Sequence, residues 1–113
     1  MVDINKEAEQ VLIQLPYTLS FFYPEEFNEF PIVSFYDINT NGSFDNDNKK
    51  DMVKGYVNVD IWTLEPSQGG KIAGEITELM ESSGWWCELN RSVDKSDGVY
   101  HRTMRFGNEF VTD

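Results

Sequence analysis

Apolar positions recur at helical spacing at the start of the chain, with Ile4, Ala8, Val11, Leu12 and Leu15 on one face. Asp3 stands where a cap belongs, Glu7 and Glu9 suit the early turns, and Pro16 stops the run, which predicts a short amphipathic helix over about Asp3–Leu15. Tyr17–Glu29 then loses all periodicity while staying aromatic. Pro24, Glu25 and Glu26 argue against a long helix there, so the segment reads as a loop that lays rings on the core or on a partner. Pro31–Ile38 alternates Ile32, Ser34, Tyr36 and Ile38 against Val33, Phe35 and Asp37, the pattern of a strand, with Pro31 tolerable at its first residue.

Val53–Leu64 carries the strongest strand signal. Val53, Gly55, Val57, Val59 and Ile61 alternate with Lys54, Tyr56, Asn58, Asp60 and Trp62, as expected of a sheet covered on one side. Glu65–Gly70 reads as a break with Ser67 as a possible cap. Ile72, Ile76, Leu79 and Met80 then form a helical stripe over Gly70–Ser83, with Gly84 at the left-handed terminator position. Gly74 either weakens this helix or allows close packing. Trp85–Asp94 alternates again, Lys95-Ser96-Asp97-Gly98 is a turn, and Val99–Phe106 is a last strand. The predicted order is α-β-β-α-β-β: an α+β domain whose four-stranded, largely antiparallel sheet has two helices packed on one face.

The chain has 113 residues, 40% of them hydrophobic, with sixteen aromatic side chains, which suits one domain over 1–113 with a real core. Its one cysteine, Cys87, excludes an internal disulfide and a multi-cysteine zinc cluster. No apolar run is long enough to span a bilayer, and the N-terminus lacks the features of a signal peptide, so no membrane partner is expected. A net charge of −11 disfavours coating of a nucleic-acid backbone, which is done by lysine and arginine. Such a surface serves solubility, divalent cation binding or avoidance of nucleic acid.

Between the second and third elements lies Asp37–Asp51, rich in Asn and Asp. Asp37, Asn39 and Asn41 stand at alternate positions, Gly42 supplies a turn and Asp45 follows, which approaches a calcium loop. The twelfth position holds Asn48 where a bidentate Glu is needed, and the flanks are strands rather than helices. A long solvated hairpin loop, mobile over about 39–52, fits better, and a loop of that length invites a functional role. No metal and no cofactor is therefore expected, with calcium binding by Asp37, Asn39, Asn41 and Asp45 kept as the alternative.

No catalytic constellation is legible. His101, the single histidine, has no nucleophile or carboxylate partner identifiable by spacing and reads as the polar face of a strand. Cys87 reads as a buried small hydrophobe. Asp60 with Glu88 can be imagined as an acid–base pair, although nothing in the sequence places them in a pocket. Gly69-Gly70 lacks the lysine-serine sequel of a phosphate loop. Trp85-Trp86 is expected to put one ring in the core and one on the surface. No enzyme activity is expected.

The ordered set of features resembles a known family. Phe30-Pro-Ile-Val-Ser-Phe-Tyr36, the Asn/Asp loop, Val57-Asn-Val-Asp-Ile-Trp62, the helix Ile72–Met80 ending in Gly84, and Asp97-Gly-Val-Tyr-His-Arg-Thr-Met-Arg-Phe106 together resemble the tail completion, or tail terminator, proteins of long-tailed bacteriophages and prophages. The resemblance covers about Phe30–Phe106. It implies a virion protein of the tail and neck, built in the host bacterial cytoplasm, that caps the finished tail tube and joins it to the head as a ring. The ring is usually hexameric, with monomers allowed in solution. The implied partners are other copies of the chain, the major tail protein and the head-completion or connector protein. DNA would pass through the lumen without specific binding, which acidic walls favour by repelling phosphate. Subunit or tail contacts are then expected at Asn41, Phe44, Asp45, Asp47, Lys49 and Lys50 in the loop, and at Trp62 and Trp86. Two other readings stand beside this one: a small acidic calcium- or partner-binding module, and an acidic DNA mimic.

Overall fold

A computed structural model of the chain describes residues 3–39 and 52–111. The elements run α1 (Ile4–Leu12), β1 (Thr18–Phe21), β2 (Ile32–Asn39), β3 (Met52–Thr63), α2 (Pro66–Ser82), β4 (Trp86–Ser92) and β5 (Tyr100–Val111). The strands form one sheet in the order β1-β2-β3-β5-β4. β1 runs parallel to β2, and every other neighbouring pair is antiparallel.

The α+β class, the largely antiparallel sheet and the two helices on one face agree with the expectation from the pattern. The strand count and order do not: there are five strands in a mixed sheet, not four. The additional strand is β1, inside the stretch expected to be a loop. Thr18–Phe21 is only four residues long and its burial does not alternate, so it has no period of its own to read. It forms because β2 offers an edge, with Thr18 opposite Ile32 and Phe21 opposite Phe35. A short edge strand held by its neighbour is a tertiary choice rather than a local one.

The helices bury their stripes against one face of the sheet. Ile4, Ala8, Val11 and Leu12 of α1 join Ile72, Ala73, Ile76 and Met80 of α2 over Val33, Phe35, Val57, Val59, Met104 and Phe106. Burying each large aliphatic side chain there contributes about 1.5–3 kcal/mol. Asp3 caps α1, its carboxylate accepting from the Lys6 backbone N–H at 3.1 Å. α1 ends earlier than expected, at Leu12, with Ile13 as its C-cap. α2 begins earlier than expected. Pro66 occupies its first turn, where a missing N–H costs nothing, and Glu65 rather than Ser67 is the capping position.

Gly84 terminates α2 as expected, with φ at +97°. The Trp85 N–H donates to the Met80 carbonyl and the Gly84 N–H to the Glu81 carbonyl, the paired bonds of a Schellman turn. That turn drops Trp85 into the core, 4% exposed, while Trp86 begins β4 on the other face at 37% exposed. One ring inside and one at the surface is the arrangement expected of the pair. Gly74 faces open space, so close packing is not its purpose.

Candidate functional site

The face of the sheet away from the helices is not left to solvent. β3 turns Tyr56, Asn58, Asp60 and Trp62 toward it, β5 adds His101, Thr103 and Arg105, and β2 adds Ser34 and Tyr36. The stretch after β1 folds across one corner, where Tyr23 and Phe27 meet the Trp62 ring edge-on at 5.9 and 5.1 Å. Phe22 stacks on Tyr36 at 5.5 Å. The aromatic loop therefore does lay rings on the sheet, and it keeps about half of each exposed: Phe22 and Tyr23 at 52% and Phe27 at 46%.

Under these rings lies a closed polar network. Asp60 is 1% exposed on a β-strand, a position where a carboxylate must be paired. Its Oδ1 lies 2.6 Å from His101 Nε2. Its Oδ2 accepts from Asn58 Nδ2 at 2.9 Å. Asn58 Nδ2 also donates to Thr103 Oγ1 at 3.2 Å, and Trp62 Nε1 donates to the fully buried Ser34 Oγ at 3.1 Å. When the carboxylate is ionised it only accepts, and His101 Nε2 is then the donor of this contact. The imidazole lies flat on the Trp62 indole, 3.8 Å between centroids and 13° between planes.

His101 thus has the carboxylate partner that spacing did not reveal. Asp60 lies 41 positions away in the chain, and only the antiparallel register of β3 and β5 brings the two together. The available signal was the alternation itself, which put Asp60 and His101 on the polar faces of their strands. Among the described residues no hydroxyl or thiol is hydrogen-bonded to the imidazole. The pair locks a ring and a carboxylate in place. Glu88 is not part of it: that side chain accepts from Trp86 Nε1 at 3.0 Å and lines a separate groove with Ile38, Tyr56 and Arg105.

A cleft of about 500 Å³ opens beside the network, lined by Phe27, Trp62, His101 and Val99 with Asp94, Ser96 and Asp97. On the same face the Tyr36 phenol is pushed up to about 12, first by its hydrogen bond with Tyr23 and then by burial. On the helix side Cys87, expected to be a buried small hydrophobe, is half-buried, and desolvation pushes its thiol up.

Of the residues expected at subunit or tail contacts, Trp62 is half-buried in the aromatic corner. Trp86 is exposed at the far edge, its ring edge-on to Tyr56 at 6.4 Å and lying over Gly107. Asn41, Phe44, Asp45, Asp47, Lys49 and Lys50 lie outside the described residues. For the calcium alternative, Asp37 Oδ1 accepts from Asn5 Nδ2 of α1 at 2.9 Å, and Asn39 ends β2. Among the described residues no three His, Cys, Asp or Glu side chains gather as a metal site would require, and no helix is long and apolar enough to cross a membrane.

No protein-family model and no curated protein matches the sequence. The fold does have a counterpart among solved structures. A chain in the virion of the native gene transfer agent particle matches with a TM-score of 0.69 and 8% sequence identity, over 93% of this chain and 84% of that one. At that identity the likeness is one of fold.

Proposed function

We propose that this chain is a structural protein of a phage-like virion, a tail terminator that caps the tail tube as a ring and joins it to the head connector. One observation carries the reading: nearly the whole chain shares the fold of a chain from a gene transfer agent virion. The ordered resemblance over Phe30–Phe106 points the same way from sequence.

The physical character of the molecule supports it. Among the described residues the sheet ends in two edge strands, β1 and β4, with half-exposed aromatic rings beside one of them. Aromatic surface of this kind belongs to contacts between proteins. A net charge of −11 suits a channel wall past which DNA slides without sticking. The role is assembly rather than catalysis, and the partners are copies of the chain, the major tail protein and the head-completion protein.

Electron microscopy of the protein mixed with tail tubes tests this. Rings seated on tube ends, with tube lengths fixed, are expected. Tubes that stay open and keep growing would remove the proposal.

A further inference from the structure

Charge is segregated across the sheet. The span Glu7–Asn39 contains no lysine or arginine, while all three arginines of the chain, Arg91, Arg102 and Arg105, lie on β4 and β5. Beside β1, the half-exposed rings of Phe22, Tyr23 and Phe27 flank the adjacent exposed carboxylates Glu25 and Glu26 in the chain. Arg91 and Arg105 are exposed at the opposite side of the same helix-free face, their register partners being Thr103 and Asn58. Neither forms an ion pair among the described residues. β1 and β4 stand at opposite edges of the five-stranded sheet, about 19 Å apart, so Arg91 on β4 is beyond reach of the patch beside β1, while Arg105 on β5 stands one strand nearer to it.

We infer that a second copy of the chain covers the aromatic edge, and that Arg91 and Arg105 of one copy seat against Phe22, Tyr23, Glu25 and Glu26 of the next. A guanidinium is the group best matched to both halves of that patch. It stacks on aromatic faces and pairs with carboxylates in the plane of its fork. The contact joins two different surfaces, so in a pair each copy keeps free, for a further copy, the surface its partner has used, and the chain of contacts runs head to tail. Repetition of such a contact closes into a ring when the rotation per step divides a full turn. Side chains rather than backbone make the junction, because the edge strand β4 carries a register shift between Cys87 and Leu89 and the charged residues Glu88 and Arg91, both of which blunt backbone pairing. The inference rests on the assembly role proposed above and names the surfaces that role uses.

Analytical ultracentrifugation on three proteins tests it: wild type, Arg91→Ser/Arg105→Ser, and Glu25→Gln/Glu26→Gln. Wild type is expected to self-associate as concentration rises at low salt, and less so at high salt. Each double variant alone is expected to associate at least about tenfold more weakly. Mixed, the two variants still hold one intact surface each, so they are expected to form 1:1 dimers that grow no further. Monomers in the mixture, or wild-type association by the arginine variant, would overturn the inference, as would a wild type that stays monomeric at every concentration. If one variant fails to fold, the other and the salt dependence of wild type still decide. Tube capping by wild type with no dimers in the mixture would keep the virion role and remove this contact. Dimers without tube capping would do the reverse.

Discussion

His101 Nε2 lies 2.6 Å from Asp60 Oδ1, across the central pair of strands and beneath the Trp62 ring. The imidazole is the lid of a carboxylate that has almost no access to water: the Asp60 side chain is 2% exposed and that of His101 17%. Removing the lid leaves the charge uncompensated. His101→Ala is expected to destabilise the fold by about 3 kcal/mol, and His101→Gln, which keeps an N–H donor, by about 1 kcal/mol. Denaturant unfolding checks this through a lowered midpoint at unchanged slope. Equal losses for the two variants would mean that the hydrogen bond contributes little.

Two glycines are expected to respond in opposite directions to a single methyl group. A Cβ at Gly74 meets nothing within 4 Å, so Gly74→Ala removes backbone freedom from the unfolded chain and stabilises by about 0.5–1 kcal/mol. A Cβ at Gly55 runs into the buried Ile4 side chain, so Gly55→Ala forces α1 away from β3 and costs about 1–3 kcal/mol. Thermal unfolding of both variants against wild type gives the comparison.

Alkaline titration reports on the aromatic corner. The Tyr36 phenol is raised from 10.0 to about 12, chiefly by its hydrogen bond with Tyr23. Between those values the unfolded chain loses this proton while the native state keeps it. The contribution to stability is therefore whole below pH 10.0 and falls away as pH rises toward about 12. Tyr23→Phe is expected to bring the Tyr36 titration down and shrink that window. Ultraviolet difference absorbance of the tyrosinate measures it, and an unmoved titration would assign the shift to burial instead.

Cys87 is half-buried, and burial holds its thiol above the ordinary value, with the Sγ donating to the Leu89 carbonyl at 3.4 Å. Little thiolate is present at neutral pH, so alkylation is expected to be slower than for a free thiol and to recover as the protein unfolds. The rate of reaction with a thiol reagent, with and without denaturant, checks it. Rapid modification of the native protein would place the sulfur in a more polar setting.

The alternating strands and the amphipathic helices were legible because each carries its own period. Val57, Val59 and Ile61 have to share a face wherever the strand goes, and Ile72, Ile76 and Met80 have to share a helical stripe. β1 was hidden because Thr18–Phe21 takes its conformation from β2. Pro66 reads locally as a break, yet it opens α2, since proline at a first turn and proline in a loop look alike in sequence. The Asp60–His101 pair was half legible: alternation gives each residue its face, while the register that joins them is a property of the whole sheet. Burial of Asp60 was not legible at all, because its cover comes from His101, which only the strand register brings over it, in a corner where Tyr23 and Phe27, from a stretch with no pattern, close on Trp62.

The full-length pairing of β3 with β5 governs how the chain finds its fold. Thr63 pairs with Tyr100, 37 positions on, and Met52 with Val111, 59 positions on, with all of α2 and β4 in between. The central ladder is therefore non-local throughout, and its first rung closes most cheaply at the Thr63–Tyr100 end, once α2 and β4 have folded back. Zipping then proceeds toward Met52. Ile61→Val, near the first rung, is expected to slow refolding, while Val53→Ala, near the last, chiefly speeds unfolding. The middle of the sheet is the last thing the chain assembles in sequence order, and the first thing on which every other element depends.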